Sequence, residues 1–383
     1  MKAATTLRAA SLRAALLGAV ALTAGIAAAA IPSAPAHAQD AAVEEAKAYV
    51  ARITAPRPPW DGPTSGPAAQ AGKTIVYVSA DQRNGGARGV GQGVEEAAKA
   101  IGWKFRTIDG QGSVSGRSAA LTQAIALKPQ GIVLGTVDAH EQVTLIRQAA
   151  EQGIALVGWH TLAQPGPSAK FSIFTNIATD ALDVARAAAS FAVAESDGKA
   201  GVVIFTDSTY EIAIAKSNAM AEVVRKCAGC TVLRVEDTPL SDTSNRMPPL
   251  TTALLQRYGQ RWTHSMAIND LYFDFMSGPL IQAGVGQEGR PLNVSAGDGS
   301  EAAFQRIRQN FYQRGTVAEP LLLHGWQAVD ELNRAFAGQP PSGFVTPVHL
   351  ITGANIAHDG GPQNNYDPEN GYRDAYRKIW GVR

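Results

Sequence analysis

The chain has 383 residues and a formal net charge of only +1, from 34 basic and 33 acidic residues. This balance excludes the strong positive charge by which proteins bind nucleic acid, so no nucleic-acid partner is predicted. A content of 45% hydrophobic residues and 38 glycines is typical of a globular α/β protein.

The first 38 residues have the three parts of a secretory signal peptide. Three basic residues precede an apolar, alanine-rich stretch at 14–31, and residues 36–38 form an Ala-His-Ala cleavage pattern. We predict cleavage after Ala38 and export of a soluble protein to the periplasm. The alternative is a membrane anchor, but a stretch that is mostly alanine is weakly apolar for a membrane span.

Strands and helices are predicted to alternate along the next part of the chain. Apolar residues at helical spacing predict a helix at 41–54, and residues 55–72 are rich in Pro and Gly, as in an extended linker. Alternation then predicts a parallel sheet with helices on both faces. The predicted strands are 75–79, 103–108, 131–135 and 154–159, and the predicted helices are 88–102, 117–127 and 139–152.

The same alternation starts again at residue 201. The chain is therefore predicted to form two similar lobes, because a repeat of about 130 residues is too long for a solenoid. In both halves an aspartate, Asp81 or Asp207, follows the first strand and precedes a polar loop and a helix. The strands of the second half are predicted at 201–206, 231–236, 264–268 and 292–296, and its helices at 212–225, 243–258 and 272–283.

Three glycines between the first strand and helix suggest a dinucleotide-binding turn. Gly89, Gly91 and Gly93 stand there, and an acidic residue, Asp109, follows about twenty positions later, as in that motif. In a true motif the first glycine follows the strand directly, so that phosphate meets the helix N-terminus. Here about nine residues separate Ser79 from the first glycine. We therefore predict that the glycines allow close helix packing, and no cofactor is predicted.

Polar side chains follow most of the predicted strands. Ligands of open parallel sheets bind at the carboxyl ends of the strands, so two such edges facing each other predict a cleft lined from both lobes. Helix capping is the alternative role for several of these side chains. The residues at these ends are Asp81, Asp138, Trp159, His160, Asp207, Asn269, Asp270 and Asp298.

The two cysteines, Cys227 and Cys230, are separated by two residues. In an oxidising compartment this spacing predicts a local disulfide. The alternative is a thioredoxin-like redox motif, but that motif opens a helix, and this one follows a predicted helix. Metal binding would need more cysteine or histidine ligands nearby, so no metal is predicted.

Several stretches carry a family resemblance. Five stretches resemble, in chain order, segments of one protein family. They are a first helix at 91–102, a strand and helix at 128–154, an Asn-Asp turn that contacts ligand at 267–270, and two crossovers between lobes at 295–299 and 315–320. In this order they resemble the type I periplasmic substrate-binding proteins of ABC transporters, in the ribose- and galactose-binding group. The resemblance covers about residues 73–356. It implies an α/β fold of two similar lobes, each a parallel sheet with helices on both faces, joined by a hinge of crossover strands.

The resemblance also implies domain boundaries. They are a signal peptide at 1–38, a helix and linker at 39–72, a first lobe at 73–175 completed by about 297–320, a second lobe at 176–296 completed by about 321–350, and a tail at 351–383. The tail contains an acidic, amide-rich segment without the spacing of an EF-hand. It is predicted to wrap around the protein, anchored by Tyr372, Tyr376 and Trp380.

The resemblance implies a set of ligand contacts. Where sugar binders of this group have an Asp-Arg pair, this chain has His160 and Thr161; Lys216 replaces an arginine and Glu319 a glutamine. These departures count against an ordinary aldopyranose and imply a small polar ligand that is sugar-like, a polyol or amine-bearing. The predicted contacts are Asp81, Arg83, Trp159, His160, Asp207, Tyr210, Glu211, Lys216, Asn269, Asp270, Asp298 and Glu319.

The implied function is capture of this solute by a monomer and its delivery to an ABC permease, through closure of two lobes. The alternative is a sensor whose closed form is read by a membrane receptor or kinase. An exported enzyme would need a nucleophile and base in the cleft. The G-x-S-x-G and H-E-x-x-H motifs are absent from the sequence, so no enzyme activity is predicted.

Overall fold

The computed structural model describes residues 34–383, with side chains from residue 41 onward. Most of the predicted signal peptide, residues 1–33, lies outside the described residues. Within the part that is described, no helix is both long and apolar enough to cross a membrane.

The first lobe is built on a six-stranded sheet with the order β2-β1-β3-β4-β6-β5. Its strands pair in parallel, except that β5 runs antiparallel to β6. The strands β1, β3 and β4 are almost fully buried, as expected for a sheet covered by helices on both faces. The strands are β1 Thr74–Ser79, β2 Lys104–Asp109, β3 Gly131–Gly135, β4 Ala155–Trp159, β5 Gly166–Ser168 and β6 Ile173–Ile177.

The second lobe has a matching six-stranded sheet with the order β12-β11-β10-β9-β7-β8. Only the edge strand β12 is antiparallel to its neighbour. The two sheets confirm the predicted fold class of two similar α/β lobes. The strands are β7 Gly201–Thr206, β8 Thr231–Asp237, β9 His264–Ala267, β10 Leu292–Ser295, β11 Gln313–Val317 and β12 Leu350–Thr352.

Helices connect the strands. The helix predicted at 272–283 is replaced by a 3-10 helix, Asp270–Phe275, followed by a short α-helix, and further 3-10 turns lie at Leu240–Asp242 and Gly259–Arg261. The α-helices are α1 Ala34–Ile53, α2 Gly85–Ile101, α3 Val114–Ala126, α4 Val143–Glu151, α5 Ala181–Glu195, α6 Glu211–Lys226, α7 Thr243–Tyr258, α8 Ser277–Gln282, α9 Glu301–Arg308, α10 Leu321–Phe336, α11 Ile356–Asp359 and α12 Tyr372–Trp380.

Three crossovers join the lobes. The first, residues 178–180, leads from β6 to α5; the second, 318–320, from β11 to α10; and the third, 337–349, from α10 to β12. This differs from the predicted boundaries, in which residues 297–320 completed the first lobe and residues 321–350 completed the second. Residues 297–320 supply β11 to the second sheet, whereas α10 packs on α2 and β4 of the first lobe.

The glycines of α2 serve close packing. A Cβ atom on Gly93 would lie 2.4 Å from the carbonyl oxygen of Leu322 in α10, and one on Gly91 would lie 2.9 Å from the ring of Tyr77. The helix itself begins at Gly85, capped by the Asn84 side chain, so the glycines stand inside it. They let α2 approach the sheet and α10 at distances that a side chain would prevent.

The segment before the first sheet touches both lobes. In α1, Val43 and Ala46 pack on the second lobe beside Val193 of α5. The following linker leaves that lobe and lies on the first, where the Asn333 side chain of α10 donates to the carbonyl oxygen of Pro67 at 3.0 Å. This segment therefore adds a fourth connection between the lobes, besides the three crossovers.

The C-terminal tail also ends on the first lobe. Tyr372, Tyr376 and Trp380 of α12 are each at most 1% exposed, and the Trp380 ring stacks on Trp326 of α10 at 5.4 Å. Trp60 of the linker packs against the Tyr376 ring at 5.4 Å. Linker and tail thus share one aromatic cluster on α10.

The two cysteines lie at the C-terminal end of α6, beneath α1. Their sulfur atoms are at bonding distance and their Cα atoms are 5.3 Å apart. Cys227 is buried against Val43 and Ala46, so the pair lies under the helix that begins the described chain.

We expect no free thiol in the native protein. Maleimide labelling after unfolding in urea without reductant should leave Cys227 and Cys230 unmodified, and the same labelling after reduction should modify both. Because the closed loop is very short, losing the disulfide should cost about 2 kcal/mol or less. Two labelled thiols without reductant would contradict the predicted pairing.

Candidate functional site

A cavity lies between the two lobes at the carboxyl ends of their strands. Its volume, counted to its open mouth, is about 590 Å³, which is in the range of small-molecule sites. The first lobe contributes Ala80, Asp81, Asn84, Gly112, Thr136 and His160, and the second Tyr210, Ile212, Ala213, Lys216, Leu240, Ser241, Ile268, Asn269, Leu271 and Asp298.

The first-lobe wall comes from the loops after β1 and β4. Asp81 follows β1, and its carboxylate accepts hydrogen bonds from the Arg83 guanidinium at 2.7 and 3.0 Å. The Asn84 side-chain oxygen caps α2 through the backbone N–H of Gly86. His160 follows β4 with a positive φ of 51°, which turns its ring out of the strand direction and into the cavity wall.

The second-lobe wall centres on a lysine and a carboxylate. Lys216 of α6 donates to the carbonyl oxygen of Ala296 at 2.8 Å, and its Nζ lies 3.9 Å from Oδ1 of Asp298. The other carboxylate oxygen, Oδ2, accepts from the Asn269 amide at 2.7 Å. Both Lys216 and Asp298 are at least 97% buried, yet both line the cavity. They are therefore placed to meet a ligand in a dry environment.

Burial raises the pKa of Asp298, while the charges of Lys216 and His160 act in the opposite direction. The start of α2 also approaches this carboxylate, since a Cβ on Gly86 would lie 2.3 Å from its Oδ2. A helix N-terminus favours a negative charge. Asp298 thus has positive neighbours from both lobes.

Glu319 lies behind His160 and does not line the cavity. Its Oε1 is 2.9 Å from Nε2 of His160, and its Oε2 is 3.2 Å from Nδ1 of His324 in α10. Burial alone would raise the pKa of Glu319, but the two histidines outweigh it and hold that pKa well below its usual range. Trp159, fully buried, stacks on the His160 ring at 4.1 Å and likewise does not reach the cavity.

Three other predicted contacts are used within the protein. Arg83 donates to Asp81, and Asp207 accepts from the backbone of Thr209 and Leu240 and so shapes its own loop. Glu211 starts α6 and faces the other lobe.

Asp270 is a structural carboxylate. It accepts hydrogen bonds from the backbone of Gly299 and the side chains of Gln313 and Thr316, at 2.8 to 3.1 Å. Burial raises the pKa of Asp270 to about 6, against the opposing charge of Arg306. The oxygens of Asp270 therefore hold the second lobe together, and Asp270 does not line the cavity. Six of the twelve predicted residues do line the cavity: Asp81, His160, Tyr210, Lys216, Asn269 and Asp298.

The lobes are in contact across the mouth of the cavity. Arg117 of α3 donates from Nη1 to the Tyr210 hydroxyl at 2.9 Å, and the backbone N–H of Glu211 donates to Asp138 at 3.1 Å. Asp138, for which helix capping is the alternative role, also accepts from the backbone N–H of His140, but it holds a turn and does not cap α4, because α4 begins only at Val143. The structure is therefore a closed form, with its mouth bridged by these contacts.

Several residues of the site have no signal in the sequence. Arg117 is only 2% exposed, because Glu141 and Tyr210 surround its guanidinium. His324 lies in the middle of α10 and meets Glu319 only because α10 packs against the end of β4. Asn84 is different, because its role as the cap of α2 follows from the Asn-Gly-Gly sequence before a predicted helix.

His160, Asp298 and Glu319 each offer an atom within 4.8 Å of the others, a spacing that could hold a metal ion. The two ring nitrogens of His160 face different carboxylates, however, with Nε2 at 2.9 Å from Glu319 and Nδ1 at 3.9 Å from Asp298. Lys216 already supplies a positive charge at Asp298. The imidazole thus lies between two carboxylates, whereas a shared metal ion would need one ring nitrogen and both carboxylates directed at a single point.

Comparison with known proteins decides the family. The model of the periplasmic binding protein domain family matches residues 75–340. The chain belongs to that family. A search of curated proteins finds no match for this periplasmic binding protein.

Solved structures share the fold of this periplasmic binding protein. It is similar to a glucose-galactose binding protein from Geobacillus stearothermophilus, with 18% identity, a TM-score of 0.64, and coverage of 75% of this chain and 99% of that one. It is also similar to an ABC transporter solute-binding protein from Agrobacterium vitis bound with alpha-D-tagatopyranose, with 18% identity, a TM-score of 0.67, and coverage of 77% and 99%. Another A. vitis solute-binding protein, with bound allitol, has 18% identity, a TM-score of 0.63, and coverage of 74% and 97%.

Proposed function

We propose that this periplasmic binding protein captures a small polyhydroxylated solute in the interlobe cavity and delivers it to an ABC permease. One observation carries the proposal. Lys216 Nζ and Asp298 Oδ1 lie 3.9 Å apart in the cavity wall, and each has hydrogen-bonding capacity that the described residues do not use. A hydroxyl group both accepts and donates, so it can bind such a lysine and carboxylate together.

The remaining wall supports a small neutral ligand. Asn84 keeps its side-chain amide hydrogens for a ligand, because only its oxygen is used to cap α2. Glu319, a carboxylate that could pair with an amine-bearing ligand, faces His160 and His324 instead and does not line the cavity. A buried polar ligand needs partners that replace its hydrogen bonds to water, and these side chains provide them.

The closed contacts support delivery after capture. Arg117 and Tyr210 come from different lobes and meet at the mouth, so the ligand can be enclosed only when the lobes approach. A ligand that contacts both lobes favours the closed form by its differential contacts. Export to the periplasm, where a permease would accept the closed form, belongs to this proposal.

The proposal predicts that Asp298→Asn weakens ligand binding at least tenfold. The change removes the charge of a buried acceptor and presents an amide to a hydroxyl donor, which costs more than a neutral hydrogen bond. Calorimetry of the purified protein with allitol, D-tagatose and D-arabinose measures the effect, and native mass spectrometry detects a co-purified solute.

Asp183→Asn is the matched control. Asp183 pairs with Arg186 at 2.7 Å on an exposed part of α5 and does not line the cavity, so binding should be unchanged. The proposal would be abandoned if no polyol or sugar bound and no solute co-purified. Unchanged affinity in Asp298→Asn, with a native circular dichroism spectrum, would show that the site is elsewhere.

A further inference from the structure

A buried acid lies between two histidines at the second crossover. Glu319 is 1% exposed, and its two oxygens face His160 Nε2 at 2.9 Å and His324 Nδ1 at 3.2 Å. His160 lines the ligand cavity, whereas His324 does not. A chain of three titratable side chains therefore leads from the cavity wall into the hinge.

The hydrogen-bonded series of His160, Glu319 and His324 reaches all three crossovers. His324 Nε2 lies 2.7 Å from the Thr346 hydroxyl in the third crossover, and that hydroxyl lies 2.8 Å from Thr179 in the first. The backbone N–H of His160 donates at 3.2 Å to Ile177, the last residue before the first crossover. Glu319 itself is in the second crossover. Any movement of one crossover against another must therefore disturb a hydrogen bond of this chain.

One nitrogen in the chain has two competing partners. Nδ1 of His324 accepts a hydrogen bond from the indole N–H of Trp159 at 3.1 Å, which requires this nitrogen to carry no proton. Glu319 Oε2 also faces it, and without that proton this oxygen is buried with no hydrogen-bond partner. Addition of one proton to Nδ1 would satisfy Glu319 and release Trp159. The two arrangements differ by a single proton.

Closure of the two lobes makes the protonation of a histidine in this cluster more favourable. When the lobes meet, Lys216 and Asp298 of the second lobe approach His160 of the first, with Asp298 Oδ1 at 3.9 Å from its ring. With neutral histidines the enclosed cluster holds two carboxylates, Asp298 and Glu319, against one ammonium. Burying this excess negative charge is costly, and one proton on a histidine neutralises it. Two further titratable groups lie near Asp298: Tyr77 of β1, and Asp270, whose carboxylate is opposed by the charge of Arg306.

We propose that Glu319 and His324 are positioning residues that couple ligand capture in the cleft to the uptake of one proton by the His160–Glu319–His324 chain. This rests on the proposed function only in assuming that ligand binding accompanies lobe closure. Because closure takes up a proton, affinity rises as the pH falls through the histidine range, by up to about tenfold per pH unit for one proton.

The coupling is tested by calorimetry between pH 5.5 and 8, with allitol, D-tagatose and D-arabinose as probes. In the unmodified protein, heats measured in buffers of different ionisation enthalpy should report uptake of a proton, and the dissociation constant should increase with pH. His324→Gln should flatten this pH profile, because glutamine can contact Glu319 and Thr346 but cannot take up a proton. His324→Lys restores a positive charge beside Glu319, and it should also give a flat profile.

His358→Gln is the matched control. His358 is 80% exposed on α11 and pairs with Asp359, so its loss should leave the pH profile intact. A pH profile unchanged in His324→Gln, with normal binding, would overturn the proposal. The same is true if Zn²⁺ binds the ligand-free protein tightly and His160→Gln abolishes that binding, since the cluster would then be a metal site.

A measurement without ligand separates this proposal from the proposed function. NMR of ¹⁵N-histidine-labelled protein should show His324 as a neutral ring with its proton on Nε2 at pH 8 and as an imidazolium at lower pH. Glu319→Gln should move that titration to lower pH, because it removes the adjacent negative charge. If His324 titrates in this way and no polyol binds, the proposed function is wrong but the protonation of the histidine series is supported. If a polyol binds and its affinity does not depend on pH, only the coupling to proton uptake is wrong.

Discussion

Lys216→Met is expected to destabilise the protein by about 3 kcal/mol at pH 8, the cost of leaving a buried partner charge uncompensated. Asp298, its neighbour at 3.9 Å, is 97% buried and would keep only His160, Asn269 and the start of α2 as partners. Urea unfolding followed by circular dichroism measures the change. The same variant should lose polyol binding, because Lys216 lines the cavity.

The loss of stability caused by Lys216→Met should become smaller as the pH falls. Burial already raises the pKa of Asp298, and Lys216 is the neighbour that opposes this most strongly. Without the lysine, the folded-state pKa lies further above the unfolded value. A raised carboxyl pKa lowers stability above the unfolded pKa and has no effect below it. The difference from the unmodified protein should therefore be largest at pH 8 and smaller at pH 5.

Lys226→Met is the control on the same helix. Lys226 pairs with Glu222 at the surface, where both side chains are more than 60% exposed, so its loss should change stability little and without a comparable pH dependence. If both variants unfolded alike, the buried charge pair would not be the reason for the destabilisation.

Gly93→Ala is expected to destabilise the protein at the upper end of the range of about 1–3 kcal/mol found for overpacked cores. The new Cβ would lie 2.4 Å from the carbonyl oxygen of Leu322 and 2.8 Å from its Cα. These are backbone atoms of α10, so they can move aside only by shifting the helix. Chemical unfolding monitored by tryptophan fluorescence measures the change.

Gly278→Ala is the matched substitution. Gly278 lies in α8 with no atom within 4 Å of a new Cβ, and its φ is not positive. Alanine should therefore be neutral there or slightly stabilising. Equal stability of the two variants would mean that α2 and α10 do not need the glycine for their close approach.

Regular elements with clear periodicity could be predicted from the sequence. The helix at 243–258 has the predicted bounds, although it contains Pro248 and Pro249. Three elements between residues 166 and 200 could not be recognised, namely the short strands β5 and β6 and the helix α5. Helix α5 is almost entirely small and apolar, and it is buried on most sides, so it lacks the polar face that reveals a helix in a sequence. Strand β6 has only five residues.

Part of the candidate site could be predicted from the rule that ligands of parallel sheets bind at the carboxyl ends of the strands. This rule identifies Asp81, Asn269 and Asp298, because parallel strands bring their carboxyl ends to one edge. It cannot tell whether a carboxylate at that edge faces the cavity or holds its own loop, as Asp207 and Asp270 do. The direction of a side chain depends on loop backbone angles that the sequence pattern does not contain.

The apolar and hinge residues of the site had no local signal at all. Leu240 and Leu271 enter the cavity from 3-10 helices, and nothing in their spacing distinguishes them from other leucines. His324 was overlooked for a related reason. It becomes important only through its contact with Glu319, which needs the second crossover and α10 to be placed correctly.

The linker on α10 also sets an order of assembly. Asn333 holds Pro67 across 266 positions of the chain, and Arg334 holds Ser65 across 269. Contacts between such distant residues form slowly, because a long loop must be closed before they are gained. The linker can therefore dock only after α10 has packed on the first lobe. During refolding it should become protected from proteases later than the strands of that lobe.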